Sequence, residues 1–233
     1  MKNTRKLVLI DIDGTMLSPG LTPRRALSQA IGELTGAQFE FQVSQLAGFT
    51  DPLIVQNALA ALGWSEERQN GMPSRIIRRY VELLQERYPE VEDKRMWLGV
   101  PELLAFLAEH QARLGIITGN VQQGARIKLA PFGLWEHFSF GVFGDDSADR
   151  NQLPRLALQK VAARFGENYA PSDVIVIGDT LQDVKCAHVN GMRCCIVLRR
   201  PEWRAEITAA QPELLLESFA PLTPLQNWLM SLP

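Results

Sequence analysis

The chain has 233 residues, 46% of them apolar and 21% charged, which suits a soluble globular protein of one large domain or a core with a smaller insert. A formal net charge of −2 argues against bulk attraction to nucleic acid or to an anionic membrane, so an anionic ligand would need local positive charge. No apolar run is long enough to span a bilayer, and the basic opening "MKNTRK" is followed by too short an apolar stretch for a secretory leader. The three cysteines, Cys186, Cys194 and Cys195, are odd in number and read as buried reduced thiols; the three histidines show no metal-ligand spacing. A cytoplasmic protein is expected.

In chain order, "KLVLID" is an apolar run that ends on acid and predicts a buried strand. From about Leu17 to Asp93 no convincing strand follows. "TPRRALSQAIGELTG", "DPLIVQNALAALG" and "SEERQNGMPSRIIRRYVELLQERY" read instead as amphipathic helices, with Thr22 and Ser65 as candidate N-caps and Met72-Pro73 splitting the last in two. From about residue 96 a different rhythm begins. Helix "GVPELLAFLAEHQ", strand "ARLGIIT", helix "VQQGARIKLAPFG", helix "LPRLALQKVAARFG", strand "SDVIVIGD", helix "TLQDVKCAHVNG" and strands "RCCIVL" and "ELLLES" follow. Alternating strands and helices predict an α/β fold: a Rossmann-like open parallel sheet with helices on both faces. The expected division is an α/β core from 1–17 and 94–233, with an all-helical unit inserted over 18–93.

Ligands of open parallel sheets bind beyond the carboxyl ends of the strands. Asp11 and Asp13 close the first strand, Thr118 closes "GIIT" and Asp179 closes "VIVIGD". Three strands thus deliver polar groups to one edge, which turn chemistry alone does not explain. With Asp183 nearby, these carboxylates would repel unless a cation intervened, and a cluster of oxygen ligands suits Mg²⁺, which in turn favours phosphate.

"DIDGTML", "ITGN" and "VIGDTLQDV" resemble, in order and spacing, the motifs of the haloacid dehalogenase-like hydrolase superfamily, over nearly the whole chain. The insert after the first motif resembles the helical cap of its phosphoglycolate phosphatase-like branch, and "AGFTDPLIVQNAL" resembles a cap segment that dips over the site. The resemblance implies a Mg²⁺-dependent phosphatase that acts on a small phosphorylated metabolite through an aspartyl-phosphate. Asp11 would be the nucleophile and Asp13 the general acid, then base. Gly14 would let the chain turn and Thr15 would steady the loop. Thr118 would donate to a phosphoryl oxygen, with the backbone of Gly119 and Asn120 adjacent. The metal would be held by the Asp11 and Asp179 carboxylates and the Asp13 carbonyl, with Asp183 a further ligand or a support for one.

The family usually places a lysine before the helix that leads to the Asp179 strand. Here that region reads "GDDSADRNQLPRLAL", so Arg150 is the expected phosphate-neutralising cation, with Lys128 and Lys160 as rivals. "GDD" at Gly144 to Asp146 resembles a family turn. Thr50 and Asp51, with Arg24 and Arg25, are candidates for contacting the leaving group, a helix cap being the other reading of Thr50 and Asp51. Hinges are expected near Ser18-Pro19-Gly20 and from Asp93 to Gly99. A phosphomutase would use the same residues. A dehalogenase would usually lack the second acid, a phosphonate hydrolase would carry a cap lysine, and a non-catalytic relative would have lost a site acid. Neither substrate nor oligomeric state is legible.

Overall fold

The computed structural model describes residues 6–232; the opening "MKNTR" lies outside them. Among the described residues eight strands and nine α-helices follow in chain order. They are β1 (Leu7–Ile10), β2 (Leu17–Ser18), α1 (Thr22–Thr35), α2 (Asp51–Ala61), α3 (Met72–Arg87), β3 (Arg95–Met96), α4 (Val100–Glu109), β4 (Arg113–Ile117) and α5 (Gln122–Leu129). Then come β5 (Phe140–Val142), α6 (Leu153–Phe165), β6 (Val174–Gly178), α7 (Leu181–His188), β7 (Arg193–Val197), α8 (Arg204–Ala209), β8 (Leu214–Leu216) and α9 (Thr223–Ser231). Among the described residues no helix is long and apolar enough to cross a membrane.

Six strands form one parallel sheet in the order β5-β4-β1-β6-β7-β8. Its strands are apolar at successive positions because both faces are covered. Val8, Ile10, Ile116, Ile177 and Val197 face α4, α5 and α9, while Leu7, Leu9, Val176, Cys194 and Ile196 face α6, α7 and α8. Burying each such side chain stabilises by about 1.5–3 kcal/mol relative to exposure. All three cysteines are buried and unpaired. β1 lies at the middle, with β4 on one side and β6 on the other, so the chain reverses direction across the sheet at β1 and leaves a crevice beyond its carboxyl end.

Helices α1 to α3 have a core of their own. Ala26, Leu27, Ala30 and Ile31 of α1 recur at helical spacing and meet Ile76, Tyr80, Leu83 and Leu84 of α3, with Val55 and Leu59 of α2 filling the third side. The chain leaves the sheet and returns to it through the antiparallel pair β2–β3, where Leu17 faces Met96 and Ser18 faces Arg95.

Several local expectations are corrected. Thr22 is the first residue of α1 rather than its cap, and no side chain caps that end. Ser65 accepts a hydrogen bond from the Arg68 N–H, but in a run of turns, and the helix begins only at Met72. The polar stretch "SEERQNG" has no apolar face to bury, so nothing holds it as a helix. β2, β3 and β5 are too short to carry a periodic signal.

Candidate active site

Parallel register sets the site. Ile10 pairs with Ile116 on one side and Ile177 on the other, so Asp11, Thr118 and Asp179 leave their strands within one or two residues of the same level. The Asp11 N–H still donates to the Ile177 carbonyl (2.9 Å), and the Thr118 N–H to Val142 (3.1 Å). After Asp11 the chain turns tightly: the Met16 and Leu17 N–H groups return to the Ile12 carbonyl. Gly14 takes φ +84° in this turn, and a Cβ there would collide with the Asp179 carboxylate. Thr15, fully buried, donates to Asp179 Oδ1 (3.3 Å).

Arg150 is buried, not a surface residue. It sits on a single helical turn capped by Asp149, directly before α6. Its Nη2 donates to Asp11 Oδ1 (3.2 Å) and Asp183 Oδ1 (2.5 Å). The other Asp183 oxygen accepts from the Thr180 N–H (3.0 Å), the Thr180 hydroxyl (2.7 Å) and the Asp179 N–H (3.3 Å). Asp183 therefore spends both oxygens on the start of α7 and on the arginine.

Lys128 reaches the site from α5. It is 3% exposed, and its Nζ donates to Asp13 Oδ2 (2.5 Å) and Asn120 Oδ1 (2.6 Å). Burial opposes its charge, but the Asp13 and Asp51 carboxylates outweigh this and hold its pKa above that of an ordinary lysine. Lys160 lies elsewhere, half exposed, donating to the Gly141 carbonyl and Asp146. In the "GDD" turn, Asp145 accepts from the Gln122 N–H at the start of α5 and Asp146 from the Phe143 N–H.

The segment entering α2 reaches down onto this edge. The Asp51 N–H donates to the Gly119 carbonyl (2.7 Å), and Asp51 Oδ2 accepts from the Val121 N–H (2.9 Å). The approach is so close that a Cβ on Gly119 would meet the Phe49 carbonyl. The Thr50 hydroxyl caps α2 at the Leu53 N–H (3.4 Å) and donates to the Ala148 carbonyl (2.6 Å), and Thr50 does not line the cavity. Asp51 and Arg24 do line it; Arg25 is exposed outside it. The cavity holds ≈ 740 Å³, and Asp11, Asp13, Thr118, Asn120, Arg150 and Asp179 form its floor.

Asp51 carries a testable signature. Burial lifts its carboxyl to about 6 against the opposing pull of Lys128 and the Val121 N–H. Between about pH 4 and 6 the folded chain thus holds a proton that the unfolded chain has released, so stability falls as pH rises through that window. Two units correspond to about 3 kcal/mol. Asp51→Asn should lack this slope, so that its stability relative to wild type climbs between about pH 4 and 6 and stands about 2–3 kcal/mol higher above about pH 6. A difference curve flat from pH 4 to 7 in chemical denaturation would show that the carboxylate is solvated.

Arg199, at the carboxyl end of β7, donates to the Gly14 carbonyl (2.8 Å) and the Thr15 carbonyl (3.2 Å) while its guanidinium stacks on Trp97. Sequence reasoning passed over it, although it too stands at a strand's carboxyl end. Lys128 was ranked behind Arg150; its signal was a lysine on the inward stripe of α5, beside Gly124, Ala125 and Leu129.

The donor set fits a divalent cation. Asp11, Asp179 and Asp183 each bring a carboxylate oxygen within 4.8 Å of the others. Arg150 is the one cation that hydrogen-bonds any of them among the described residues, so two negative charges stay uncompensated in a buried place. Burial lifts the Asp11 carboxyl to about 7, with Arg150 pulling it down and Asp183 and Asp13 pushing it up; burial, with Asp183 and Asp11 beside it, lifts Asp179 well above the usual carboxylate range. Asp11 Oδ2 and the Asp179 carboxylate are the groups left to take an oxygen-seeking ion.

A family model described as haloacid dehalogenase-like hydrolase matches residues 8–197. The phosphoglycolate phosphatase of Pectobacterium atrosepticum is 26% identical over 223 residues, covering 92% of this chain and 89% of its own. That of Nitrosococcus oceani is 26% identical over 220 residues, covering 91% and 92%. The crystal structure of CbbY from Rhodobacter sphaeroides in complex with phosphate shares the fold, with a TM-score of 0.68 at 20% identity over 93% of this chain and 96% of that one. The family match runs from β1 to the end of β7 and takes in every strand end that reaches the cavity floor: the chain belongs to the haloacid dehalogenase-like hydrolase family and is an enzyme of its phosphatase kind.

Proposed function

We propose that this phosphatase is a cytoplasmic, Mg²⁺-dependent phosphomonoesterase that hydrolyses a small phosphorylated metabolite through an aspartyl-phosphate on Asp11, with 18–93 acting as a cap over the site. The observation that carries the reading is the buried cluster of Asp11, Asp179 and Asp183, with Arg150 inside it and Thr118 beside it on one cavity floor.

The Asp11 and Asp179 carboxylates and the Asp13 carbonyl would hold the ion, with Asp183 fixing Arg150 rather than ligating. Bound Mg²⁺ supplies Lewis-acid neutralisation of phosphate oxygens. A carboxylate oxygen of Asp11 attacks phosphorus as the bond to the leaving oxygen breaks, and Asp13 passes that oxygen a proton. Asp13 then takes a proton from water, whose oxygen attacks the same phosphorus; the Asp11–phosphorus bond breaks and inorganic phosphate leaves. The Thr118 hydroxyl and Arg150 stabilise negative charge on the phosphoryl oxygens throughout. The segment from Phe49 to Asp51, bonded to the Gly119 carbonyl and the Val121 N–H, excludes bulk water from above. The β2–β3 pair, where both chain crossings meet, is the place for a hinge. A cavity of this size suits a metabolite rather than a macromolecule, in keeping with the phosphoglycolate phosphatases among the relatives.

Hydrolysis of small phosphate monoesters, 2-phosphoglycolate among them, should require Mg²⁺ and cease in excess chelator, returning when the ion is restored. Mg²⁺ should also raise the melting temperature of the wild type and do so much less in Asp179→Asn. Undiminished turnover in chelator would sink the metal assignment, and an inactive wild type across a phosphomonoester panel would sink the activity.

A further inference from the structure

We propose that Lys128 is a positioning residue for this reaction: through one ammonium group it fixes which oxygen Asp13 offers to the leaving group and which way the Thr118 hydroxyl donates. The inference rests on the reading of Asp13 as the proton donor.

An ammonium can only donate hydrogen bonds, whereas a primary amide accepts at one end and donates at the other. Lys128 Nζ donates to Asn120 Oδ1 (2.6 Å), so the amide orientation is set and Nδ2 must point the opposite way. There Nδ2 donates to Thr118 Oγ1 (2.8 Å) and Asp13 Oδ2 (2.9 Å). The Asn120 backbone N–H also donates to Thr118 Oγ1 (3.3 Å). Both acceptor sites of the Thr118 oxygen are thereby filled, and its own proton is free for a phosphoryl oxygen. If Asn120 were turned over, its carbonyl would face the Thr118 and Asp13 oxygens, and Thr118 would spend its proton inside the protein.

The same ammonium acts directly on Asp13. Oδ2 receives both Lys128 Nζ (2.5 Å) and Asn120 Nδ2, while Oδ1 has no partner within the protein. The carboxyl group cannot spin without breaking two charge-assisted bonds, so Oδ1 is the oxygen left to serve the leaving group. Lys128 makes no hydrogen bond to Asp11, which separates its place from that of Arg150.

The test compares kcat/KM for phenyl phosphate and 2,4-dinitrophenyl phosphate, with Mg²⁺ present, in wild type, Asp13→Asn, Lys128→Met, Lys128→Gln and Asn120→Ala. The two aryl phosphates differ in the acidity of their leaving phenols, each variant is compared with wild type on the same ester so that differences in fit cancel, and kcat/KM covers only the steps through departure of the leaving group. Phenolate departs poorly without a proton; dinitrophenolate needs none. Asp13→Asn should therefore lose about a hundred-fold or more on phenyl phosphate and far less on the dinitro ester. Lys128→Met should show the same split, losing at least about ten-fold more on phenyl phosphate. Asn120→Ala, which removes a donor to Thr118 as well as one to Asp13, should lose on both esters. Lys128→Gln keeps a donor without the charge and replaces Lys128→Met if the latter does not fold. Equal losses on the two esters in the Lys128 variants, or no loss, would overturn the proposal while Asp13→Asn still splits them. Absence of a split in Asp13→Asn itself would instead overturn the role of Asp13.

Discussion

Asp11→Asn should abolish turnover, by roughly 10⁵-fold or more, while leaving the fold intact. The amide that replaces the carboxylate has neither its charge nor its nucleophilicity, and no other carboxylate can take its place: Asp183 has both oxygens engaged, and Asp179 is held against the Gly14 turn. Stability should not suffer. Burial holds the Asp11 carboxyl up at about 7, so at pH 8 the ionised group opposes folding in the ion-free protein, and a neutral amide removes that cost. The checks are a phosphate-release assay beside thermal unfolding, with mass spectrometry to exclude reversion of the amide. Near-normal turnover in verified asparagine protein would rule out a covalent intermediate on this residue.

Arg150→Ala should be costly in two separable ways. Among the described residues its guanidinium is the only partner of Asp183 Oδ1, and that side chain is wholly buried, so removing the arginine strands a carboxylate in the interior. Breaking a buried pair in this manner destabilises by about 3–5 kcal/mol. The same group lies against Asp11, where it would offset repulsion between the nucleophile and an arriving phosphate, and its loss should cost about 3 kcal/mol or more of transition-state stabilisation. Arg150→Lys should recover part of the stability and less of the rate, since an ammonium on the shorter lysine stem does not take the place of Nη2 between Asp183 and Asp11. Lys160→Ala, at a half-exposed site outside the cavity, is the control and should alter neither. A folded Arg150→Ala with wild-type kcat/KM would move the electrostatic role elsewhere.

Most of the sheet was legible because its strands are covered on both faces, which forces unbroken apolar runs such as "VIVIG". β5 escaped notice because it is three residues long with a glycine at its centre, and β2 and β3 because two residues make no pattern. The strand-end residues Asp11, Thr118 and Asp179 were legible for a topological reason: parallel strands put their carboxyl ends on one edge whatever the details of packing. Residues that arrive from helices and loops are harder to rank. Arg150 stood out by its place before a helix, but nothing local says that its side chain passes between Asp11 and Asp183. Lys128 looked like one of several lysines, and only the burial of its helix face gives it away. Thr50 was open between substrate contact and helix cap, and the hydrogen bonds to Leu53 and Ala148 are those of a cap.

The central position of β1 also bears on how the chain is made. Residues 7–10 pair with 113–116 and 174–177, so the innermost strand leaves the ribosome more than a hundred residues before its second partner. At about 5–20 residues per second that delay is on the order of ten seconds or more. Until β4 emerges, "LVLI" is apolar on both faces and has no strand of its sheet to pair with. The helices that follow next, α1 to α3, make most of their apolar contacts with one another, Val121 and Ile127 being the later residues in their core, so much of that core is available while the rest is still being synthesised. Asp11 is thus translated well before Thr118 and Asp179, the strand-end residues that complete its surroundings. Yield of active enzyme should accordingly respond to chaperone supply and to slower translation more strongly than its final stability would suggest.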